Sequence, residues 1–540
     1  MPDARPPEPR LSLPAIITAA RAGALTHAWS LFRAAGYDKI DNDPAALAVK
    51  GRLLKDQALR AVGTERPSLF AASITAYAAA DRLSPQPYTK INVATLRLLA
   101  GDKDGAAADA RALLAALDGD QPFQETPYYL AATRAEARLL CGDVSGAKAA
   151  LAAAIKHNPD GWSDHASTLR QFALILSSQK ANDAWLDAYR PPGSLHYAGH
   201  LAVAEPGETA LKAAVEATLK ADGIGFGFGA LAAGADIVIA EALLAQGAEL
   251  HLVLPVARNA FVAQSVAPYG ADWIARFDSC HAAAQSVRVV TGLVGPYEPL
   301  ATAFAADLAM GAAILNARSL ESAAIQFLVI DEEAGRYGGA NWTARDGERW
   351  AATGRPQRLE RVRRDADVVD SGSVKPAEGR PDRRLAALLY IAFDGLEALS
   401  DAAFAEALDT VVMPFRAHAA TCVTQPDLTL PIGNARIAAF ETPTAAWTHA
   451  RALLEFSSST LPIRIVAHYG LAHWLDMPTA LTGTIITELT TMATVALPGS
   501  VTASEPFASA LFIGSAEPPV AELIGDLDGT KLFTITNPLQ

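Results

Sequence analysis

The residues with the clearest chemical potential lie near the middle of the 540-residue chain. Gly223, Gly225, Gly227 and Gly229 alternate along one stretch, and Gly234-Ala235-Asp236 opens an apolar run that contains Glu241. Glycines at the end of a strand let the backbone turn sharply and approach a ligand. A helix N-terminus beyond them offers unpaired N–H groups to an anion. The pattern fits a phosphate cradle with Asp236 and Glu241 nearby, or glycines that only make a tight strand-to-helix turn. Gly338-Gly339-Ala340-Asn341 forms a second glycine-rich loop. His468 and His473 lie five apart around Gly470, which is not a metal-binding helical spacing, and are expected to pack or face solvent. Arg355, Arg358, Arg361, Arg363 and Arg364 interleave with Glu360 and Asp365 and read as a solvated helix end. Cys141, Cys280 and Cys422 are scattered without metal-ligand spacing, so no metal site and no disulfide framework is expected. The sequence holds no P-loop, nucleophile elbow or His-Glu-x-x-His pattern.

These residues need domains to position them. The length calls for two to four cores, and 51% hydrophobic residues, many of them alanine, can fill them. A formal net charge of −13 argues against a nucleic-acid partner, which would require a basic face. Met1 to Leu11 lacks the basic start and apolar stretch of a secretion signal, and no uncharged run approaches the roughly 20 residues of a membrane span. A soluble, cytoplasmic protein is expected, with no membrane partner and no cofactor.

The expected fold is multidomain, α followed by α/β. Residues 1–24 read as a tail. Residues 25–190 are helical, with Ser73, Tyr77, Ala80 and Pro85 spaced like Ala147, Leu151, Ala154 and Pro159. That spacing suits the second helix of a tetratricopeptide repeat (TPR), with an irregular bundle as the alternative. Gly101-Asp102 and Gly142-Asp143 mark turns between paired helices. Residues 191–363 alternate strands (Ser194 to Ala198, Gly223 to Phe228, Glu249 to Leu254, Ser286 to Val290, Ala324 to Ile330) with helices, the pattern of a parallel Rossmann-like sheet. Residues 364–384 read as a linker, and 385–540 as a third domain.

Resemblances sharpen these readings. Tyr88 to Asp102 is similar to the TPR-like helical domain that bacterial signalling proteins share with the TRAF-binding region of stress-activated kinases. Tyr197-Ala198-Gly199-His200, Gly229 to Glu241 and His251 to Pro255 resemble the SLOG superfamily, as do Gly311 to Leu320 and Ile325 to Ile330. That resemblance implies a nucleotide-derived ligand held by Gly199, His200, Gly227, Gly229, Gly234, Asp236, Glu241, Gly338 and Gly339. The threonine and glutamate that hydrolytic SLOG members carry after their glycine loop are missing here. Leu388 to Asp401, Ile432 to Phe440, Leu461 to Gly470 and Pro498 to Ala508 resemble class III adenylate and guanylate cyclases, implying a ferredoxin-like α/β domain. The two metal-binding aspartates of that family fall on Ala392 and Asn434. Its ribose-orienting asparagine and its arginine fall on Thr487 and Thr491. Asp394 lies about 6–7 Å along the strand from the first position and is a poor substitute.

The resulting expectation is a non-catalytic signalling protein. Its helical repeats would take a protein partner, its SLOG-like domain a nucleotide-type ligand, and its inactive cyclase-like domain would dimerise or relay state. The alternatives are a structural assembly protein that uses the cyclase-like fold as an interface, and a SLOG-domain nucleotide-processing enzyme relying on Asp236 and Glu241.

Overall fold

The computed structural model describes residues 12–21, 24–119, 123–203, 205–291, 298–331, 342–364, 382–456, 461–476, 479–515 and 518–537. The chain divides into two compact units, Met1–Pro191 with Asn537–Gln540, and Pro192–Thr536.

The first unit is helical: α1 (Leu13–Arg21), α2 (Leu25–Ala34), α3 (Pro44–Arg60), α4 (Glu65–Leu83), α5 (Pro87–Leu99), α6 (Lys103–Leu117), α7 (Pro127–Leu140), α8 (Val144–His157) and α9 (Trp162–Gln179). The pairs α5–α6 and α7–α8 share one turn. Gly101 and Gly142 adopt positive φ of 94° and 81°. Asp102 and Asp143 then cap the next helix by accepting from the N–H groups of Gly105 (2.9 Å) and Gly146 (2.8 Å). Each cap satisfies a donor the helix start would otherwise leave unpaired. Ser73, Tyr77 and Ala80 on α4 and Ala147, Leu151 and Ala154 on α8 are buried, so their common register is a packing face. The stretch read as a tail contains α1, whose Ile16, Ala19 and Ala20 form a buried stripe at helical spacing.

The second unit holds two sheets. The first comprises β1 (Gly193–Gly199), β2 (Ile224–Gly229), β3 (Glu249–Leu254), β4 (Ser286–Val289), β5 (Ala324–Ile330) and β6 (Gln357–Arg361), in the order β4-β3-β2-β1-β5-β6. Every neighbouring pair is parallel. Connecting helices are α10 (Glu205–Ala221), α11 (Ala235–Ala245), α12 (Arg258–Ser265), α13 (Ala271–Ala283), α14 (Pro299–Ser319) and α15 (Trp342–Ala352). The strand order reverses at β1, so the ends of β1 and β5 flank the crevice where open α/β sheets bind ligands. Of the arginines read as a helix end, Arg358 and Arg361 belong to β6, an edge strand on β5, while Arg355 precedes it and Arg363 and Arg364 follow it. Their three-residue spacing imitates a helix, but pairing with a fully buried neighbour overrides it.

The second sheet comprises β7 (Arg383–Phe393), β8 (Leu428–Ile432), β9 (Ala435–Phe440), β10 (Ile463–Asp476), β11 (Thr479–Thr482), β12 (Val501–Ser504), β13 (Val520–Leu527) and β14 (Thr530–Thr536). Its order is β13-β14-β12-β10-β7-β9-β8, with β11 on β10. Its helices are α16 (Asp401–Ala407), α17 (Met413–Thr421), α18 (Pro443–Leu454), α19 (Thr484–Ala493) and α20 (Glu505–Gly514). Side chains alternate along β7. Leu389 and Ile391 join Phe415, Trp447 and Phe507 on one face. Ala386 and Leu388 meet Ile485 and Leu489 of α19 on the other.

The two sheets share one core. Val253, Phe304, Leu308 and Ile314 belong to the same buried cluster as Ile391, Tyr469, Phe507 and Phe512. The apolar helix α14 is long enough to span a membrane, but 72% of its apolar window is buried inside the protein. Where α14 crosses α20, a Cβ on Gly311 would lie 2.4 Å from Ser509 Cα, so only a glycine permits the approach. Phe304 meets Tyr469 edge-on at 5.3 Å, and Arg383 pairs with Glu298 at 2.9 Å. Adding one methyl group in Gly311→Ala is expected to destabilise the protein by about 1–3 kcal/mol, because overpacking against backbone outweighs alanine's helix propensity. Urea unfolding followed by tryptophan fluorescence checks this, and an unchanged or raised midpoint contradicts it.

Candidate functional site

At the end of β1, Gly199 lets α11 settle directly on the strand, since a Cβ there would lie 2.3 Å from that of Ala235. Gly234 stands just before α11 with φ 108° and ψ −127°. Leu201 forms an antiparallel bridge with it, and the Ala235 N–H donates to His200 O at 3.3 Å. Asp236 turns back under this loop. Its carboxylate accepts from the Gly199 N–H (3.1 Å) and the Ala232 N–H (3.2 Å). An internal carboxylate thus takes a position that suits a ligand anion at a helix start. Burial raises its pKa to about 7, against the lowering effect of the two N–H groups.

His200 closes the same end. Its Nε2 lies 2.8 Å from Val362 O and its Nδ1 2.9 Å from Leu201 O. A neutral ring can donate to only one of these carbonyls. Burial lowers its pKa although both carbonyls favour the charged form. Val203 bridges to Arg364, so the segment after β6 lies across the loop after β1.

The remaining predicted ligand residues separate from this group. Gly229 and Gly227 are close-packing positions, where a Cβ would lie 2.6 Å from the Tyr197 ring and 2.3 Å from Leu243. Glu241 faces α13 and α10 in an ion-pair cluster. Arg276 donates to both of its oxygens at 2.8 and 2.7 Å, and to Glu208 at 2.7 Å. That guanidinium also lies 4.2 Å over the Trp273 ring. Gly338 and Gly339 lie outside the described residues.

On the α19 face of the second sheet, Ala392 sits opposite Arg464 in the β7–β10 ladder. The Arg464 guanidinium pairs with Asp394 and donates to Ala493 O at 3.0 Å. Asn434 occupies the exposed β8–β9 turn. Thr487 and Thr491 lie one turn apart on α19, and the Thr491 hydroxyl donates back to Thr487 O at 2.8 Å. Two divalent cations do not fit this set. Ala392 and Asn434 offer a methyl group and a carboxamide, neither of them the carboxylate that hard cations prefer, and the Asp394 carboxylate is held by the Arg464 guanidinium.

Two constellations joined residues that no local spacing linked. His468 Nε2 lies 2.8 Å from Glu488 Oε2, and its Nδ1 lies 2.8 Å from Ser504 Oγ. This resembles an acid–base–nucleophile chain, but Ser504 is fully buried and its Oγ also accepts from the Phe507 N–H at 3.2 Å. The hydroxyl is a helix cap, sealed from any substrate. In the seam between the sheets, Phe228, His251, Ser286, Arg288, Glu505 and Lys531 line a cavity of about 40 Å³. Arg288 pairs with Glu505 at 2.7 Å, and Lys531 lies 3.8 Å from the same carboxylate. The volume suits a few water molecules. Burial lowers the pKa of His251 to about 4.

Asp236 generates a pH test. A carboxyl whose folded pKa is raised from 3.8 to about 7 binds its proton more tightly in the folded state. Its favourable contribution is complete below pH 4 and is lost as pH rises to about 7. The stability of Asp236→Asn relative to the unsubstituted protein should therefore rise over that window, by at most about 1.4 kcal/mol per pH unit. Urea titrations at pH 4.5, 5.5 and 6.5 measure the trend, and a constant difference would refute the buried ionisation.

No family model matches the chain, and no curated protein matches it. Solved structures do. The adenylyl cyclase CyaB from P. aeruginosa is 11% identical over 29% of this chain and 95% of its own, with a TM-score of 0.24. The guanylyl cyclase domain of the RhoGC fusion protein from Blastocladiella emersonii is 17% identical over 28% and 95%, with a TM-score of 0.23. The adenylate/guanylate cyclase/hydrolase from Silicibacter pomeroyi is 18% identical over 30% and 99%, with a TM-score of 0.23. These neighbours are nucleotide cyclase domains similar to less than a third of the chain, and at such scores no family membership follows.

Proposed function

We propose that this chain is a non-catalytic regulatory protein. In this reading the second sheet is a cyclase-like module without cyclase chemistry, and the crevice at β1 and β5 takes a nucleotide-type ligand. The helical unit takes a protein partner, and the cyclase-like module pairs with a second copy or relays state. One observation carries the reading. Ala392 and Asn434 stand at the two positions that would need carboxylates, while Asp394 is paired with Arg464. Making a cyclic nucleotide needs metal ions to activate a hydroxyl and bind a triphosphate, and these residues cannot hold them. Thr487 and Thr491 supply no cation for the transferring phosphoryl group, a loss worth roughly 10³–10⁵ in rate. The shared core around Gly311 and Ser509 also favours the structural alternative, in which the cyclase-like fold survives as an interface.

Two measurements test the proposal. The full chain incubated with ATP or GTP and Mn²⁺ should form no cyclic nucleotide above a protein-free control, and metal-dependent turnover would overturn the non-catalytic reading. A nucleotide or nucleotide-derived messenger at a hundredfold excess over its Kd should stabilise the protein by about 2.7 kcal/mol, visible as a raised Tm. The absence of any shift across such a panel would remove the ligand and leave the structural alternative.

A further inference from the structure

The helical unit contains a cavity with a chemistry of its own. Lys55 on α3, Asn92 and Thr95 on α5, Glu136 on α7 and Gln171 on α9 form one hydrogen-bonded network. Lys55 Nζ donates to Asn92 Oδ1 (3.2 Å) and Gln171 Oε1 (3.3 Å). Thr95 Oγ1 (2.6 Å) and Gln171 Nε2 (3.0 Å) donate to Glu136 Oε1. Burial lowers the Lys55 pKa and raises that of Glu136. These polar groups satisfy one another and tie α3, α5, α7 and α9 together.

Leu59, Leu99, Leu174 and Ser178 follow at three-, four- or seven-residue spacing, on the same faces of α3, α5 and α9. With Arg66, Pro67 and Phe70 they line a cavity of about 360 Å³. That lies within the roughly 300–1,000 Å³ typical of small-molecule sites. Pro67, Ala100 and Ser177 at its edge are exposed, so it opens to solvent. Leu59, Phe70, Leu99 and Leu174 supply its apolar part, and Arg66, Ser177 and Ser178 its polar part. Arg66 brings a guanidinium, positioned 5.9 Å from the Phe70 ring centre, that makes no ion pair among the described residues.

We propose that this cavity binds a small amphipathic carboxylate. The apolar body lies between Leu59, Phe70, Leu99 and Leu174, and the carboxylate is received by Arg66. Planar guanidinium donors match a carboxylate in two parallel hydrogen bonds, and an apolar wall beside them strengthens the pair. The ligand class follows from this division of one cation and apolar walls. A neutral apolar molecule leaves the guanidinium unused, and a fully polar anion leaves the walls wet. The proposal concerns a different unit from the β1–β5 crevice and stands or falls independently of it.

Calorimetry on the full chain tests it, with octanoate as the probe and octanol as its uncharged counterpart. Octanoate should bind saturably at one site, roughly tenfold or more tighter than octanol. Arg66→Gln should remove that preference while leaving octanol affinity unchanged. Leu174→Trp, which fills the cavity, should abolish both. If Leu174→Trp does not fold, judged by its melting curve, the rim substitution Arg66→Gln decides alone. No saturable octanoate binding, or a preference for octanoate retained in Arg66→Gln, overturns the proposal.

Discussion

The second unit depends on one close crossing. Gly311 on α14 lies against the backbone of Ser509 on α20, at a distance no side chain tolerates. Because of it, Phe304, Leu308 and Ile314 belong to the same core as Phe507 and Phe512. A helix that in isolation reads as apolar all round finds both of its faces covered, one by the parallel sheet and one chiefly by α20. Asp307 is tolerated on that helix because α15 supplies its counter-ions. Arg345 and Arg349 of α15 both reach it at 2.9 Å, although burial still raises its pKa. The mixed sheet therefore shares its core directly with the parallel-sheet layer. Displacing α14 disturbs the packing of both sheets at once, since interiors packed to this density do not deform continuously.

The same principle governs the polar groups. Asp236 is satisfied by two backbone N–H groups, Glu241 by a guanidinium, and His468 by a serine and a glutamate. Residue types that suggest chemistry in a list of letters are here largely engaged with one another. A buried charge or donor without a partner costs far more than a typical hydrogen bond gains, so such groups arrive in matched sets. Arg66, without a counter-ion among the described residues and at a cavity mouth, carries more information than the His468–Ser504 pair, whose hydroxyl is buried as a helix cap.

Legibility in the sequence followed the range of the interactions. The five strands read in the middle of the chain correspond to β1 to β5 within a residue or so at each end, because apolar runs between glycine and proline turns are local signals. Helix α1 was missed because its nine residues follow a proline-rich stretch, and its stripe of Ile16, Ala19 and Ala20 gains meaning only against neighbouring helices. Strand β6 was misread because arginines three apart imitate a helix face. The partnerships of Gly311 with Ser509, Arg288 with Glu505 and His468 with Glu488 join distant parts of the chain, and no spacing rule encodes them.

The crevice at β1 and β5 is where these constraints meet. A ligand anion approaching the start of α11 competes with the Leu201–Gly234 bridge, with the His200 carbonyl on the Ala235 N–H, and with the Asp236 carboxylate. Each is an intramolecular substitute for a ligand contact, so entry exchanges bonds rather than adding them. Such an exchange favours a ligand only if it brings more charge-assisted contacts than the loop gives up. The charge on Asp236 weighs on that balance: ionised, it repels an anion and holds two N–H groups. Protonated, as burial favours toward and below pH 7, it releases that repulsion. An anion at this end of β1 would therefore compete with the internal Asp236 carboxylate for the same N–H groups.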